Sequence, residues 1–482
     1  MAPAPVDLPI LRFGEPYTSL DVTELTDTRS GAVVARLSMA NTGLISRDLL
    51  KVGEAAAKLR ELSTAKLIAI AKQAAELFMT ATLPLGNTQQ SPDDYVAQLA
   101  ATSGLPFTLC RANMTKVERA LLETERVIAG LTRGLPLEIL DTGEGAVGGI
   151  PVSYAPTTEA LGCVLPSNSP GVNSIWLPSI ALRTPVIMKP GREEPWTPLR
   201  LIAAFVAAGC PREAFGFYPT SHEGADMILR RCGRGIVFGS DATTSRYADD
   251  PGIERHGTGR SKILLGADCI ERWPDYLDLL ATSVAANGGR SCVNASAIVL
   301  PAGHEAAADA LADALAKRLA TIEARGREDD QAGLASFANP AMADWLEGVI
   351  EQGLRTAGAE DITARHRDGP RRVTLDGADF LLPTIVRCAD FDHPLANTEL
   401  LFPYASVVTV PRDELVRRIG PSLVVTAITE DPVLQRELLA ARHVDRLNLG
   451  PIPTTTVEWD QPHEGNLFES LYQRRAFQRA GR

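Results

Sequence analysis

From Leu161 onward the chain alternates short apolar runs with helical segments, and this alternation restricts the fold more than any other feature of the sequence. LGCVLP (161–166) and TPVIMKP (184–190) precede a helical segment from Pro198, and IVFGS (236–240) follows it. Thr197 suits an N-cap, Pro198 the first helical position and Gly209 a left-handed exit. Strand, helix and strand repeated in this way predict parallel βαβ units, because parallel strands need a crossover long enough to hold a helix. A second block has the same texture. KILLG (262–266), SAIVLP (296–301), TIVRCA (384–389), ASVVTV (405–410) and LVVTAIT (423–429) read as strands, with an amphipathic helix over 304–324 between two of them. A chain of 482 residues also exceeds the roughly 250–300 at which one core stops growing. Two α/β domains in tandem are expected.

The flanks read differently. Residues 46–80 and 112–131 are predicted helical, and in the second of these Met114, Val117, Leu121, Ile128 and Leu131 share one face. IPVSYAP (150–156) and TTTVEWDQPHEGNLFESLYQRRAF (454–477) are extended pieces, either surface strands or an arm exchanged between subunits. Trp459, Phe468, Leu471, Tyr472 and Phe477 are apolar enough to call for a partner surface.

A net charge of −11, from 48 basic and 59 acidic residues without long blocks of either sign, disfavours nucleic-acid binding. The longest apolar stretch, Leu201 to Gly209, is too short to span a bilayer, and MAPAPVDLPI lacks the order of a secretion signal, so a cytoplasmic protein is expected. The seven cysteines are dispersed without a CxxC pair, and the seven histidines form no HExxH or HxxxH pair, so neither a disulfide framework nor a metal site is expected. Thiol, amide and carboxylate chemistry remains.

GEGAVGG (143–149) fits a dinucleotide fingerprint through Gly143, Gly145 and Gly148, but IPVSYAP follows where that motif needs a helix, and the segment reads as a flexible turn. The run Asn287-Gly288-Gly289-Arg290-Ser291-Cys292-Val293-Asn294 is more informative. A thiolate is the strongest side-chain nucleophile, and positive charge such as that of Arg290 lowers the thiol pKa. The competing reading is that Cys292 is a small core residue. Upstream, Pro166-Ser167-Asn168-Ser169-Pro170 closes a strand with an amide able to donate to an oxyanion, Lys189 ends the next strand, and Phe238-Gly239-Ser240 ends a third.

This ordered set resembles the aldehyde dehydrogenase superfamily, whose members carry a P-W-N-x-P-like loop, a V-x-K-P strand end, an F-T-G-S turn and an N-x-G-Q-x-C nucleophile loop in this order. Glu399-Leu400-Leu401-Phe402-Pro403 is similar to its E-I-F-G-P motif, and Arg446-Leu447-Asn448 to its later asparagine strand. The resemblance covers about residues 150–460. It implies two doubly wound, Rossmann-like α/β domains with a small β oligomerisation arm: 1–130 and 156–262 binding NAD or NADP, 263–445 carrying the nucleophile, and 131–155 with 446–482 forming the arm of a homodimer or homotetramer. It further implies Cys292 as nucleophile and Asn168, with the Cys292 backbone N–H, as oxyanion hole. Lys189 would contact the adenosine ribose, with Pro166 and Glu193 on the cofactor side. Gly239 and Ser240 would lie beneath the pyrophosphate, and Glu399 would hold the nicotinamide ribose. The insertion GREEPW leaves both Glu193 and Glu194 as candidates for ribose selection, and NAD versus NADP open.

One departure bears on mechanism. Where hydrolytic members carry E-L-G-G, this chain reads Arg255-His256-Gly257-Thr258-Gly259-Arg260-Ser261-Lys262, without the carboxylate. Its loss characterises members whose thioester is resolved by coenzyme A, a thiol that needs less help from a base than water does. His256 either takes the place of the missing base or caps a turn. Arg290 replaces the usual glutamine, as a thiolate or substrate contact or as a structural ion pair. Leu401 and Phe402 replace the usual Phe-Gly. The expectation is therefore NAD(P)-dependent chemistry on a small aldehyde or acyl-CoA through Cys292. The alternatives are release of a free acid with His256 as base, and a non-catalytic protein of the same fold.

Overall fold

The computed structural model describes residues 4–480. The chain forms two compact units: the first holds the residues up to Thr102, Cys110–Gly257 and those from Glu458 on; the second holds Ser103–Leu109 and Thr258–Val457.

The first unit is built on a seven-stranded sheet in the order Ile253–His256, Gly235–Phe238, Leu161–Val164, Val186–Lys189, Phe215–Phe217, Ile10–Arg12, Glu15–Tyr17. The first five are parallel and the last two antiparallel. Val186, Ile187, Met188, Phe215, Phe217, Ile236 and Val237 are all buried, as parallel strands covered on both faces require. Leu161–Val164, earliest in sequence of the parallel five, is flanked on one side by the second and on the other by the fourth. Sheet growth reverses direction there, and in such sheets the crevice at the carboxyl ends of those strands receives ligands.

The helix expected from Pro198 spans Trp196–Ala207 and begins earlier because a different group caps it. The carboxylate of Glu194 accepts from the Thr197 backbone N–H at 2.8 Å and from its hydroxyl at 2.6 Å. Pro198, lacking an N–H, then leaves one fewer orphan donor in the first turn. Gly209 makes the expected exit at φ +96°. The stretch 46–80 is divided into Thr42–Asp48, Val52–Arg60 and Thr64–Thr80, with a single 3₁₀ turn over Leu49–Lys51. The stripe Met114, Val117, Leu121, Ile128 and Leu131 is buried throughout.

GEGAVGG is not a flexible turn. Glu144–Val147 pairs antiparallel with Ile150–Pro156, and Gly148 (φ +56°) with Gly149 (φ +79°) supplies the two left-handed residues of a tight hairpin. Tyr472–Arg475 adds to the other edge of Ile150–Pro156, making a three-stranded sheet within one chain. Phe468, Leu471 and Tyr472, expected to need a partner surface, are buried without one: the Phe468 ring lies 5.3 Å from that of Tyr154, and the Tyr472 hydroxyl donates to the Leu182 carbonyl at 2.8 Å.

The second unit holds another seven-stranded sheet, in the order Ala359–Asp361, Thr384–Cys388, Tyr404–Val410, Ala295–Pro301, Ser261–Leu265, Ser422–Ile428, Val444–Leu449, parallel except for the first strand. Helix Glu305–Leu319 buries Ala308, Leu311, Ala312, Leu315 and Ala316 against one face. Helix Pro340–Leu354 packs on the other through Ala343, Leu346 and Ile350. Arg446, Leu447 and Asn448 lie on the edge strand Val444–Leu449, where the Asn448 amide donates to the Thr426 hydroxyl at 3.0 Å.

Candidate active site

Cys292 is one of seven cysteines, and the other six are buried. Burial pushes Cys210, Cys232 and Cys388 up to about 12 and Cys110 and Cys163 higher still, which keeps those thiols protonated. Cys292 is half-buried, in the loop before the strand Ala295–Pro301. Asn294 shapes that loop: its carbonyl oxygen accepts from the Ser291 N–H at 2.8 Å, and its amide donates to the carbonyls of Ser283 (3.1 Å) and Ala286 (3.0 Å). Asn287, Gly288 and Gly289 take φ of +55°, +64° and +68° in succession. At Gly289 a methyl group would lie 2.3 Å from the Phe402 carbonyl carbon, so only glycine lets the loop approach the Phe402–Pro403 backbone.

Arg290 is a structural residue. Its guanidinium is buried, donates to the Ser103 carbonyl at 2.9 Å and to the Ser336 carbonyl, and stacks 5.4 Å from the Phe337 ring centre. Burial draws its pKa down to about 10. These carbonyl acceptors and the Phe337 ring give the guanidinium a structural role.

Glu399 is held beside the same loop by the segment Gly259–Arg260. The Arg260 N–H donates to Glu399 Oε2 at 2.6 Å, and the Gly259 N–H also favours the carboxylate. Gly259 packs so closely on the Cys292 loop that a Cβ would lie 2.1 Å from the Cys292 carbonyl oxygen. The Ser261 hydroxyl donates to that same oxygen at 2.8 Å. Burial outweighs these donors and lifts Glu399 to about 7. Lys262, which sequence reasoning passed over, is fully buried; its ammonium donates to the Arg260 carbonyl at 2.6 Å and to the Ser422 hydroxyl at 2.9 Å. Burial, then the Arg260 charge, lower its pKa to about 7, against an opposing pull from Glu399. Cys292, Glu399 and Gly259–Arg260 thus precede three neighbouring parallel strands and gather at the amino edge of the second sheet.

The remaining candidates sit in the first unit, at the opposite kind of edge. Pro166 and Asn168 follow Leu161–Val164, Lys189 ends Val186–Lys189, Gly239 and Ser240 follow Gly235–Phe238, and His256 ends Ile253–His256. All stand at the carboxyl ends of the strands around the reversal of strand order. The Glu193 N–H donates to the Ser167 hydroxyl at 3.2 Å, which joins the loop of Pro166 and Asn168 to that of Lys189 and Glu193. Burial lowers the pKa of Lys189, opposed by Glu193. Glu194 is buried as the cap of Trp196–Ala207 and sits at about 7, raised by burial against the Thr197 hydrogen bonds, so of the two glutamates only the half-buried Glu193 faces outward. Ser240 precedes a helix of one turn, Asp241–Thr244.

His256 has a carboxylate at each ring nitrogen: Nε2 meets Glu254 Oε1 at 2.9 Å and Nδ1 lies 2.9 Å from Glu464 Oε1. Burial alone would lower its pKa, but the two carboxylates prevail and raise it to about 9, while Glu464 falls to about 2 against its own burial. No spacing rule links position 256 to 464, so this contact had no signal in the sequence.

Comparison with known proteins agrees with this architecture. Residues 89–419, more than half of the chain, match the model of the aldehyde dehydrogenase family. An aspartate-semialdehyde dehydrogenase (non-phosphorylating) of Halomonas elongata is 21% identical over 252 residues, 49% of this chain and 48% of that protein, so the chain spans about half the length of this curated relative. The aldehyde dehydrogenase KauB from Pseudomonas aeruginosa superposes with a TM-score of 0.79 at 15% identity, covering 98% of this chain and 97% of that one. A gamma-glutamyl-gamma-aminobutyraldehyde dehydrogenase from Burkholderia cenocepacia gives 0.78 at 16%, covering 98% and 96%. The P. syringae indole-3-acetaldehyde dehydrogenase AldA, in complex with NAD+ and IAA, gives 0.78 at 14%, with the same coverage. Two Rossmann-like sheets, a half-buried cysteine in a loop of left-handed residues and a match over more than two thirds of its length leave one assignment: the chain belongs to the aldehyde dehydrogenase family.

Proposed function

We propose that the chain is an NAD(P)-dependent oxidoreductase that oxidises an aldehyde through Cys292 and passes the acyl group to coenzyme A, or runs the same steps in reverse from an acyl-CoA. What supports this reading is the pairing of a single accessible thiol with a stretch, 255–262, that holds no carboxylate: both ring nitrogens of His256 face Glu254 and Glu464, and the Lys262 ammonium is held by the Arg260 carbonyl and the Ser422 hydroxyl.

The Cys292 thiolate attacks the carbonyl carbon, and Asn168 with the Cys292 N–H is assigned to the resulting oxyanion. Hydride leaves that carbon and a thioester remains on Sγ. The thiol of coenzyme A, with a pKa of about 8.5, is partly ionised near neutral pH and displaces Cys292 without a general base. Bound NAD(P) supplies the hydride acceptor. The first unit's residues fit such a cofactor: Lys189 offers an ammonium, Glu193 a carboxylate for a ribose diol, and Pro166, Gly239 and Ser240 line the carboxyl ends of strands at the reversal of strand order. Glu399 is assigned to the nicotinamide ribose. Seven cysteines without a disulfide fit the reducing cytoplasm. No helix among the described residues is long and apolar enough to cross a membrane. The exposed Val147 and Ile150, on the hairpin of the three-stranded sheet, support assembly into a homodimer or homotetramer.

Nicotinamide absorbance, followed with a panel of aliphatic and aromatic aldehydes with and without coenzyme A and in reverse with acyl-CoA and NAD(P)H, tests the reading. Turnover that depends on coenzyme A is expected. Turnover indifferent to it would instead establish release of a free acid, and none in either direction would establish a non-catalytic member of the fold.

A further inference from the structure

The first unit carries a cluster that the aldehyde chemistry does not use. His256 ends the edge strand Ile253–His256, with its side chain only 5% exposed. Glu464 lies across from it, with Oε1 2.9 Å from His256 Nδ1 and Oε2 3.5 Å from His463 Nδ1. One ligand atom from each of His256, His463 and Glu464 lies within 4.8 Å of the others. We infer that these three residues form a binding site for a divalent transition-metal ion of the zinc type, with Glu254 as the carboxylate that orients His256.

Two imidazoles and one carboxylate are the donor set of zinc-class ions, whereas calcium and magnesium take oxygen ligands. Ligand atoms about 2.0–2.2 Å from a tetrahedral ion stand about 3.3–3.5 Å apart, so an envelope of 4.8 Å closes on an ion with side-chain shifts of about 1 Å. Two further observations point to a ligand. His256 Nδ1 is buried and turned onto the Glu464 carboxylate at 2.9 Å, so two of the donor atoms already face one space. The other ring nitrogen, Nε2, donates to Glu254 at 2.9 Å, the carboxylate–histidine relay that fixes the tautomer of metal-bound imidazoles and turns Nδ1 toward the ion. Charge also balances, since a dication with two neutral imidazoles offsets the carboxylates of Glu254 and Glu464. Any proton displaced from Nδ1 passes to solvent. Three protein ligands leave one position open to water. The ion would staple the segment containing His463 and Glu464 to the sheet's edge strand, across about 200 residues of sequence.

The test uses the full chain carrying Cys292→Ser, so that the accessible thiol does not compete, stripped with a chelator and titrated with Co²⁺ alone. Expected are one equivalent of Co²⁺ with the visible ligand-field absorption of a tetrahedral site, displacement by Zn²⁺, and a Zn²⁺-dependent rise in Tm. His463→Ala, at a partly exposed position, and the isosteric Glu464→Gln should each weaken Co²⁺ binding at least ~100-fold, and Glu254→Gln by roughly 10–100-fold. Far-UV circular dichroism of the metal-free variants checks that each is folded. No saturable Co²⁺ or Zn²⁺ uptake, or uptake that survives His463→Ala and Glu464→Gln in folded protein, would overturn the site and identify the cluster as an imidazolium held between two carboxylates.

Discussion

The Ser261 hydroxyl donates to the Cys292 carbonyl oxygen at 2.8 Å, so the first residue of one parallel strand fixes the loop that precedes its neighbour. The two residues before it act on the same edge. Arg260 gives its N–H to Glu399, and Gly259 closes on Cys292 with no room for a side chain. Three consecutive residues therefore set the position of both the thiol and the buried carboxylate.

That packing makes Gly289 sensitive. Gly289→Ala puts an L-residue at φ +68° and a methyl 2.3 Å from the Phe402 carbonyl carbon. A loss of roughly 2–5 kcal/mol in stability is expected, combining left-handed strain with overpacking, together with a larger fall in kcat than in substrate affinity. A urea midpoint and kcat equal to those of the parent protein would contradict it.

Thiol reactivity should follow burial. Under limiting iodoacetamide, peptide mapping by mass spectrometry should find Cys292 labelled first, with activity lost in step, while Cys163 and Cys232 react only after denaturation. Cys292→Ala should lower kcat/KM by at least ~10³-fold with unchanged circular dichroism. Labelling of another cysteine ahead of Cys292 in the native protein would sink this assignment.

Glu399 imposes a pH dependence on stability. Its folded pKa of about 7 lies above the ordinary value of 4.5, so the proton is held more tightly in the folded chain. The stability linked to it is complete below pH 4.5 and is lost as pH rises through about 7, amounting to about 3 kcal/mol. Glu399→Gln removes that loss. The variant should gain on the parent protein by this amount between pH 4.5 and pH 8, read from urea midpoints at both ends. A gap that does not change with pH would show that Glu399 is already ionised throughout.

Cofactor choice separates the two adjacent glutamates. Removing the charge at Glu193 should raise the ratio of kcat/KM for NADP over NAD by roughly tenfold, one charge repulsion of about 1.4 kcal/mol. Glu194→Gln should leave that ratio alone, because its carboxyl caps the helix through Thr197. A ratio that moves with Glu194 and not with Glu193 would reverse the assignment.

Much of this was legible without coordinates. The alternation of apolar runs from Leu161 on specified parallel sheets, because a strand buried on both faces must be apolar along its whole length and a parallel return must pass through a helix. The ordered motifs around Asn168, Lys189 and Gly239 fell at the end of such a run and those around Cys292 and Glu399 ahead of one, where short-range patterns of glycine, proline and strand termini are informative. Contacts between residues distant in sequence were not legible. The capping of Trp196–Ala207 by Glu194, the turning of Arg290 onto the carbonyls of Ser103 and Ser336, and the burial of Phe468 and Tyr472 within one chain all depend on where the backbone returns. The same holds for the cluster of His256 with Glu254, His463 and Glu464, which no periodicity connects. Sequence by itself determined the central strands of both sheets, their parallel sense and the chemical inventory at their ends, since these follow from local periodicity and residue type. The tertiary structure alone decided that the loops of Asn168, Lys189 and Gly239 gather at a carboxyl edge and Cys292 at an amino edge, and which charges are buried together, because strand order and burial arise from packing over hundreds of residues and from no local rule.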